Sequence, residues 1–491
     1  MRKWWPLVTV CLGTFMLLID VTIVNVALPQ MATDLSTSFN ALQWVVDGYA
    51  LALGVLLLGA GALSDMHGHR RFYVGGLIVF ALASLACGLA AGPALLVTAR
   101  VVQGAGAAAM FTTTFALLNS SYQGRERGVA YGIWGGVSGA ATAVGPVLGG
   151  LLTEGLSWRW IFLVNLPICV AAVIMCFTTL RHDGERRPGR FDLWGTLTFT
   201  IAAGTLTFAV IRANDEGWSS VKTWGLIAVS AVALAAFVLI EWRTDHAMFD
   251  LRLLRNRSFT GILIASLLVN FSAFAAFTYT SIWLQSVTGL SPLRAGLVGL
   301  PMSVCAMLAS GVAGARLHGR SPRLIIGGGM LLIGVGGLLL ALFVGADSTW
   351  AALIPGYIVI GLGVGLVMPT LASSAMAAVP TRRGGMAAGS LTTARQLGFA
   401  IGVAVLGTVF AARATDHLGS SEAAHAVAGG QAARLAGTVP EAAIRGAAAA
   451  GLDAGFLISG VVGLVCALLV FLMVRPTAPA PGEPARESVA A

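Results

Sequence analysis

The chain runs to 491 residues, 57% of them hydrophobic and only 10% charged, with a net charge of +9 and a mean hydropathy of +0.85. A soluble domain carries about 25% charged residues, so a water-facing surface is excluded for most of the chain and lipid must take its place. In a soluble protein the basic excess would point to nucleic acid; here the basic residues sit in short loops between apolar runs, where they set topology, and nucleic acid is not an expected partner.

A helix needs about twenty apolar residues to cross a bilayer. The first run, 7–28, follows Arg2-Lys3 without a small-residue cleavage site, so it reads as a retained span rather than a signal peptide. It holds Asp20 near its middle and Asn25 further out. Runs follow at 44–63, opening with Trp44, Asp47 and Tyr49, then at 72–92 and at 95–118, which holds Arg100 and Gln103. The runs 131–153 and 160–180 complete a first block of six, and 193–212 and 223–241 stand between it and the next. The last six are 258–285, 292–315, 323–345, 350–378, 391–412 and 452–474. The expected architecture is therefore an all-α integral membrane protein of fourteen transmembrane helices.

Most of the 30 basic residues fall in the termini and the loops on the N-terminal side, among them Arg70, Arg71, Arg125, Arg127, Arg252, Arg255 and Arg257. That asymmetry places both termini of a multi-pass membrane protein in the cytoplasm. On the other side, segment 413–451 carries Asp416, His417, Glu422, His425, Glu441 and Arg445 among alanines, and is too long for a simple connection. It reads equally as a short helical hairpin over the outer mouth or as a disordered loop. The six cysteines all lie in apolar runs without metal-ligand spacing and read as buried thiols.

Asp20 is the strongest chemical signal. A carboxylate at mid-span costs roughly 2.5–3.5 kcal/mol on insertion scales and must face a cavity, a partner or a proton. It lies about 20 Å from the inner start of its span, and Arg100 about 8 Å below the outer start of the fourth, at 1.5 Å per residue. In a core about 30 Å thick those depths nearly coincide, so Asp20 and Arg100 are expected to interact and to carry proton coupling; the alternative is a static structural pair. Asp47, near the outer mouth, reads as a substrate-cation or second proton site, or as a solvated helix end. Interfacial anchoring and cation recognition are both open for Trp44 and Tyr49. Asn25 and Gln103 either line a cavity or bond a neighbouring helix.

Two internal echoes organise the chain. Gly61–Arg71 after span 2 resembles Gly314–Arg323 after span 10, and Arg127–Gly150 resembles Arg383–Gly407. Residues 1–190 and 246–475 thus read as two six-helix bundles, 191–245 as two inserted helices and 476–491 as a disordered cytoplasmic tail. Repeated six-span halves are a transporter architecture with the site between them. No Gly-x-x-x-x-Gly-Lys-Ser/Thr, metal-spaced cluster or nucleophile–base pair is present, so neither an ATP-driven pump nor an enzyme is expected, and no cofactor or metal.

Five stretches carry a family resemblance: Leu18–Pro29 with Asp20 and Asn25, Gly61–Arg71, Leu96–Ala108, Gly145-Pro146-Val-Leu-Gly149-Gly150 and Trp158–Pro167. Together they resemble the fourteen-span drug:proton antiporter branch of the major facilitator superfamily, over about residues 5–475. The resemblance implies alternating access, with a proton entering as a drug or antibiotic leaves, and resistance as the result. It implies a cytoplasmic latch at Asp65, Gly68, Arg70 and Arg71, and control of leakage and direction by Gly145, Pro146, Gly149 and Gly150. Two departures stand out: Met66 and His67-Gly68-His69 replace a more basic loop, and span 13 has Arg395 and no acid within it. The implied partners are a small-molecule drug, protons and the bilayer, and nothing in the sequence demands more than a monomer. A broad pump for lipophilic cations, and a receptor or sensor without turnover, are the alternative readings.

Overall fold

The computed structural model describes residues 2–37, 39–180, 192–216, 220–244, 247–317, 320–380, 383–435 and 437–475; the expected tail 476–491 and the side chains of Asn25 and Pro146 lie outside that description. The described residues form helices and turns, with no strand among them. This is what lipid demands, because a helix satisfies its own backbone groups.

The first half comprises α1 (Trp5–Asp34), α2 (Phe39–His67), α3 (His69–Gly88), α4 (Pro93–Ser121), α5 (Gly124–Gly155) and α6 (Trp160–Thr179, interrupted at Val164). Then come α7 (Leu193–Glu216) and α8 (Val221–Arg243). The second half comprises α9 (Arg257–Val287), α10 (Leu300–Arg316), α11 (Pro322–Phe343), α12 (Trp350–Ala377), α13 (Gly384–Leu418) and α14 (Glu441–Met473). Local chemistry sets the ends: Pro93 and Pro322 open α4 and α11, and the Asn256 side chain accepts from Ser258 N at 3.0 Å to start α9. Gly68, at φ 96°, makes the tight α2–α3 turn in a region that side chains avoid.

Among the described residues, twelve helices are long and apolar enough to cross a membrane, against the fourteen expected; α5 and α10 stand outside that count, the apolar part of α10 being Leu300–Ala313. α5 is glycine-rich and packs between α1 and α10, so its surface meets helices more than lipid. Segment 413–451 differs from an open loop. α13 runs 35 residues to Leu418, about 52 Å at 1.5 Å per residue, a short helix Ser421–Ala428 follows, and α14 begins at Glu441. The helices overshoot a hydrocarbon core of about 30 Å, which is why hydropathy alone ends them early.

One face of the bundle carries both ends of the described chain, at Lys3 and Arg475. There the Tyr122 hydroxyl accepts from Leu7 N at 3.0 Å and donates to Lys3 O at 3.1 Å, and Lys3 pairs with Glu126. Arg475 N donates to Ser258 Oγ at 3.0 Å, and Arg383 bridges Asp250 at 2.6 Å. Partial burial works against the Asp250 charge, but the Arg383 guanidinium and the Arg252 N–H together outweigh it and hold the carboxyl below its usual range. On the opposite face Arg159 reaches Asp34 at 2.5 Å, and the Trp158 indole donates to the same carboxylate at 2.8 Å.

The halves touch along two seams. α2 meets α13 so closely that a Cβ at Gly61 would collide with Gly385 O. α5 meets α10, where Ser310 Oγ donates to Gly132 O at 2.9 Å. Both seams lie toward the face of the chain ends. The pair α7–α8 leans on the bundle through α7, which packs on both α2 and α13.

Candidate functional site

Asp20 and Arg100 meet. Arg100 Nη1 donates to Asp20 Oδ2 at 2.6 Å, and the two side chains are almost wholly buried (1% and 0% exposed). Four helices besides α1 supply the surroundings. Gln103, one turn after Arg100 on α4, donates to Asp20 Oδ1 at 3.1 Å and accepts from Arg100 Nη1 at 2.7 Å. Asn165 at the start of the main run of α6 donates to Asp20 Oδ1 at 3.0 Å. Ser84 of α3 ties the two amides together, at 2.7 Å from Gln103 Nε2 and 3.3 Å from Asn165 Nδ2. From α2, Val45 O accepts from Arg100 Nε at 2.9 Å.

Two rings close over the guanidinium: Tyr49 at 4.1 Å and Phe162 at 5.7 Å from ring centroid to Cζ. Such contacts strengthen as water is excluded. The carboxylate thus holds donors from Arg100, Gln103 and Asn165, and the arginine is answered by acceptors and by aromatic faces. Protonating Asp20 removes the charge that all of them answer.

The sequence leaves Tyr49 open to a substrate cation; in the structure the cation it covers is Arg100. Gln103 bonds within the network rather than lining a cavity. Trp44 lies 5.5 Å from Phe208 of α7, and Asp47 is half-buried one turn along α2. Asn25 and Pro146 are outside the described side chains.

The glycines of the Gly145–Gly150 stretch fasten α5 to α1 beside Asp20. A Cβ at Gly145 would collide with Thr22 Oγ1, and one at Gly149 would stand 2.9 Å from Ile23 O. Gly150 has open space around it. Any shift of α1 is therefore felt by α5, which forms the seam with α10.

At the face of the chain ends, Asp65 reaches across from α2 to the first turn of α13. Its Oδ1 accepts from Gly385 N at 2.7 Å and its Oδ2 from Met386 N at 3.0 Å. The first turn of a helix offers N–H groups without intrahelical partners and a positive dipole end, which suit a carboxylate. His69 Nε2 stands 3.7 Å from Asp65 Oδ1. Arg70 ties α3 to the end of α6, donating to Phe177 O at 3.2 Å and lying 5.2 Å over the Phe177 ring. Arg71 is exposed at the start of α3. Sequence reasoning does not single out Asn165 or Ser84 for the network. Asn165 leaves a signal as a lone amide in an apolar run, whereas Ser84 leaves none, since serine is common in membrane helices.

Comparison with known proteins agrees with this architecture. The sequence profile of the Major Facilitator Superfamily matches residues 10–403. A multidrug resistance protein of Mycobacterium tuberculosis is 38% identical over 83% of this chain and 75% of its own length. The puromycin resistance protein of Streptomyces alboniger is 36% identical over 86% of this chain and 85% of its own. The tetracenomycin C resistance and export protein of Streptomyces glaucescens is 32% identical over 97% and 93%. Among solved structures, a human organic anion transporter superposes with a TM-score of 0.63 at 15% identity, covering 95% of this chain and 99% of that one. A proton:xylose symporter gives 0.61 at 13% identity, covering 96% of each.

Proposed function

Because this chain belongs to the Major Facilitator Superfamily, a family of transporters, we propose that it exports a drug or antibiotic from a bacterial cell in exchange for protons. The observation that carries the reading is the buried Asp20–Arg100 pair with its amide ring. An ionisable pair at that depth is expensive and marks ion or substrate pathways. The relatives named for resistance and export supply the cargo class.

Proton entry to Asp20 discharges the carboxylate, loosens α1 from α4 and α6, and passes through the Gly145 and Gly149 contacts to α5 and its seam with α10. Alternating access follows as the halves rock. The seams lie toward the face of the chain ends, which the basic residues assign to the cytoplasm; on this reading the structure is the state closed to the cytoplasm. Both oxygens of Asp20 already hold protein donors, which argues against its serving a lipophilic cation.

We also read α5 and α10 as crossing the bilayer, completing the fourteen-span form. Helix direction alternates strictly when both are included, and the contacts at the face of the chain ends fall at the ends this alternation requires. Single cysteines at Gln123→Cys and Glu154→Cys, at the two ends of α5, and at Ser291→Cys and Arg320→Cys, on either side of α10, are expected to react with a membrane-impermeant maleimide from opposite sides of intact vesicles within each pair. Reaction from the same side within a pair would show that its helix does not cross.

The functional test uses purified protein in vesicles with an imposed pH gradient, with puromycin and tetracenomycin C as probes. At least one is expected to move against the proton flow and to stop when a protonophore is added. Drug movement that continues unchanged without any gradient would rule out antiport and leave the fold and family standing.

A further inference from the structure

Arg395 is a second arginine at membrane depth, and its surroundings contrast with those of Arg100. It lies on α13, eleven residues past its first residue, or about 16 Å along the axis at 1.5 Å per residue. Its Nε is buried and has no hydrogen-bond partner among the described residues, and no ion pair among them includes it. Arg100, by contrast, is answered by a carboxylate, a carbonyl, an amide oxygen and two rings.

The second half offers Arg395 no counter-ion from its helices. Helices α9, α10, α11 and α12 contain no Asp or Glu. On α13 the acid is Asp416, 4.0 Å from Arg413 at the far end. On α14, Glu441 bonds Arg445 at 2.6 Å and Asp453 is exposed. In the first half, Asp20 is committed to Arg100 and Asp65 to the start of α13.

Its position on the helix shows where it faces. Gly385 and Gly389 of α13 face α2: a Cβ on the first would collide with Gly61 O, and one on the second would lie 2.8 Å from Leu57 O. Gly398 and Gly402 face α9: a Cβ on the first would collide with Leu267 O, and one on the second would lie 3.1 Å from Phe271 Cα. At about 3.6 residues per turn Arg395 falls on the arc that leads from the second stripe to the first. Three turns nearer the face of the chain ends, Gly384 lies close to that arc, and its Cβ would stand 3.4 Å from Ala116 Cβ of α4. Arg395 therefore lies at the edge of the α9-facing stripe, on the side that turns toward α2 and the other half, three turns further out than Gly384. Asn270 Oδ1 and Ser272 Oγ, also buried without hydrogen-bond partners among the described residues, stand further out on α9 at its π-helical stretch Phe271–Ala275. Such bulges gather at functional sites.

A guanidinium at this depth is costly, and such residues face a pathway and pair with something. We propose that the partner is the cargo: Arg395 is the docking cation for an anionic group, a carboxylate or ionised phenol, on a lipophilic compound. The planar fork of arginine matches a carboxylate in a way that a lysine does not. The inference rests on the export reading and names the class of compound that the export serves. It sets this protein against lipophilic cations, which the same charge repels.

The test compares initial rates for fluorescein, an anion with a carboxylate and a phenolate, and ethidium, a cation, in vesicles with a pH gradient. In wild type fluorescein is expected to move, and Arg395→Gln should lower the fluorescein-to-ethidium rate ratio at least about tenfold, the worth of one charge-assisted bond. Arg395→Lys should recover part of the ratio, because it restores charge without the fork. An equal fall in both rates would mean a structural role and overturn the proposal. So would an unchanged ratio, or a wild type that moves ethidium and not fluorescein; the last two leave export itself intact. If wild type moves neither dye nor any other probe under a gradient, the export reading fails together with this one.

Discussion

Asp20→Asn is expected to abolish drug-driven proton movement and to destabilise the protein by about 3–5 kcal/mol, because it leaves Arg100 buried without its counter-ion. The two effects are separable. Both partners are buried and lie in the same half, 2.6 Å apart. Replacing a buried pair as a pair is close to neutral in stability, whereas breaking it is not. The double variant Asp20→Asn, Arg100→Gln should therefore unfold near the wild-type Tm in detergent while moving no protons. A double variant that folds well and still couples drug to proton would show the pair to be a structural fastening, and the proton route would have to lie elsewhere.

Asp65→Asn is expected to shift the population toward a state open at the face of the chain ends. The carboxylate makes two charge-assisted bonds to the α13 N-terminus, at 2.7 and 3.0 Å. Hydrogen bonds to charged groups are worth about 1.5–3 kcal/mol each, and the dipole end adds about 0.3–1 kcal/mol. The asparagine keeps one acceptor, so a net change of about 2–3 kcal/mol is expected, or about 30- to 150-fold in the ratio of closed to open forms. Spin labels at His67→Cys and Ala377→Cys read the separation directly, because both positions are exposed and they end α2 and α12, one in each half. Distance distributions that superpose in wild type and variant would dispose of the latch.

Much of the central site is legible because membranes make polar groups conspicuous. Asp20 and Arg100 are lone charges in apolar runs, and helix rise alone puts them at one depth, where the structure joins them. Depth says nothing about rotation around the helix axis. That is why Gln103 can be read as a cavity residue although it bonds Arg100, Asp20 and Ser84, and why Tyr49 can be read as waiting for a substrate although it covers Arg100. Asn165 and Ser84 carry no charge and so stand out little. Hydropathy shortens the helices because α1, α13 and α14 continue past the apolar core as polar, alanine-rich or acidic turns. The latch residues come from a resemblance; no side-chain pattern announces that the partner of Asp65 is backbone, the N–H groups of Gly385 and Met386.

The placement of α7 has a consequence for how cargo arrives. A protein made of two rocking halves has two sideways cracks through which molecules dissolved in the inner leaflet could slip toward its centre. Here one crack is roofed: Trp44 of α2 lies against Phe208, a Cβ at Gly59 would stand 2.8 Å from Thr196 Cγ2, and the same helix also packs on α13. Lipid tails, and any compound travelling among them, meet a shutter on that flank. On the export reading proposed above, lateral entry would be left to the flank between α5 and α10, and the traffic of lipid-dissolved compounds would be one-sided.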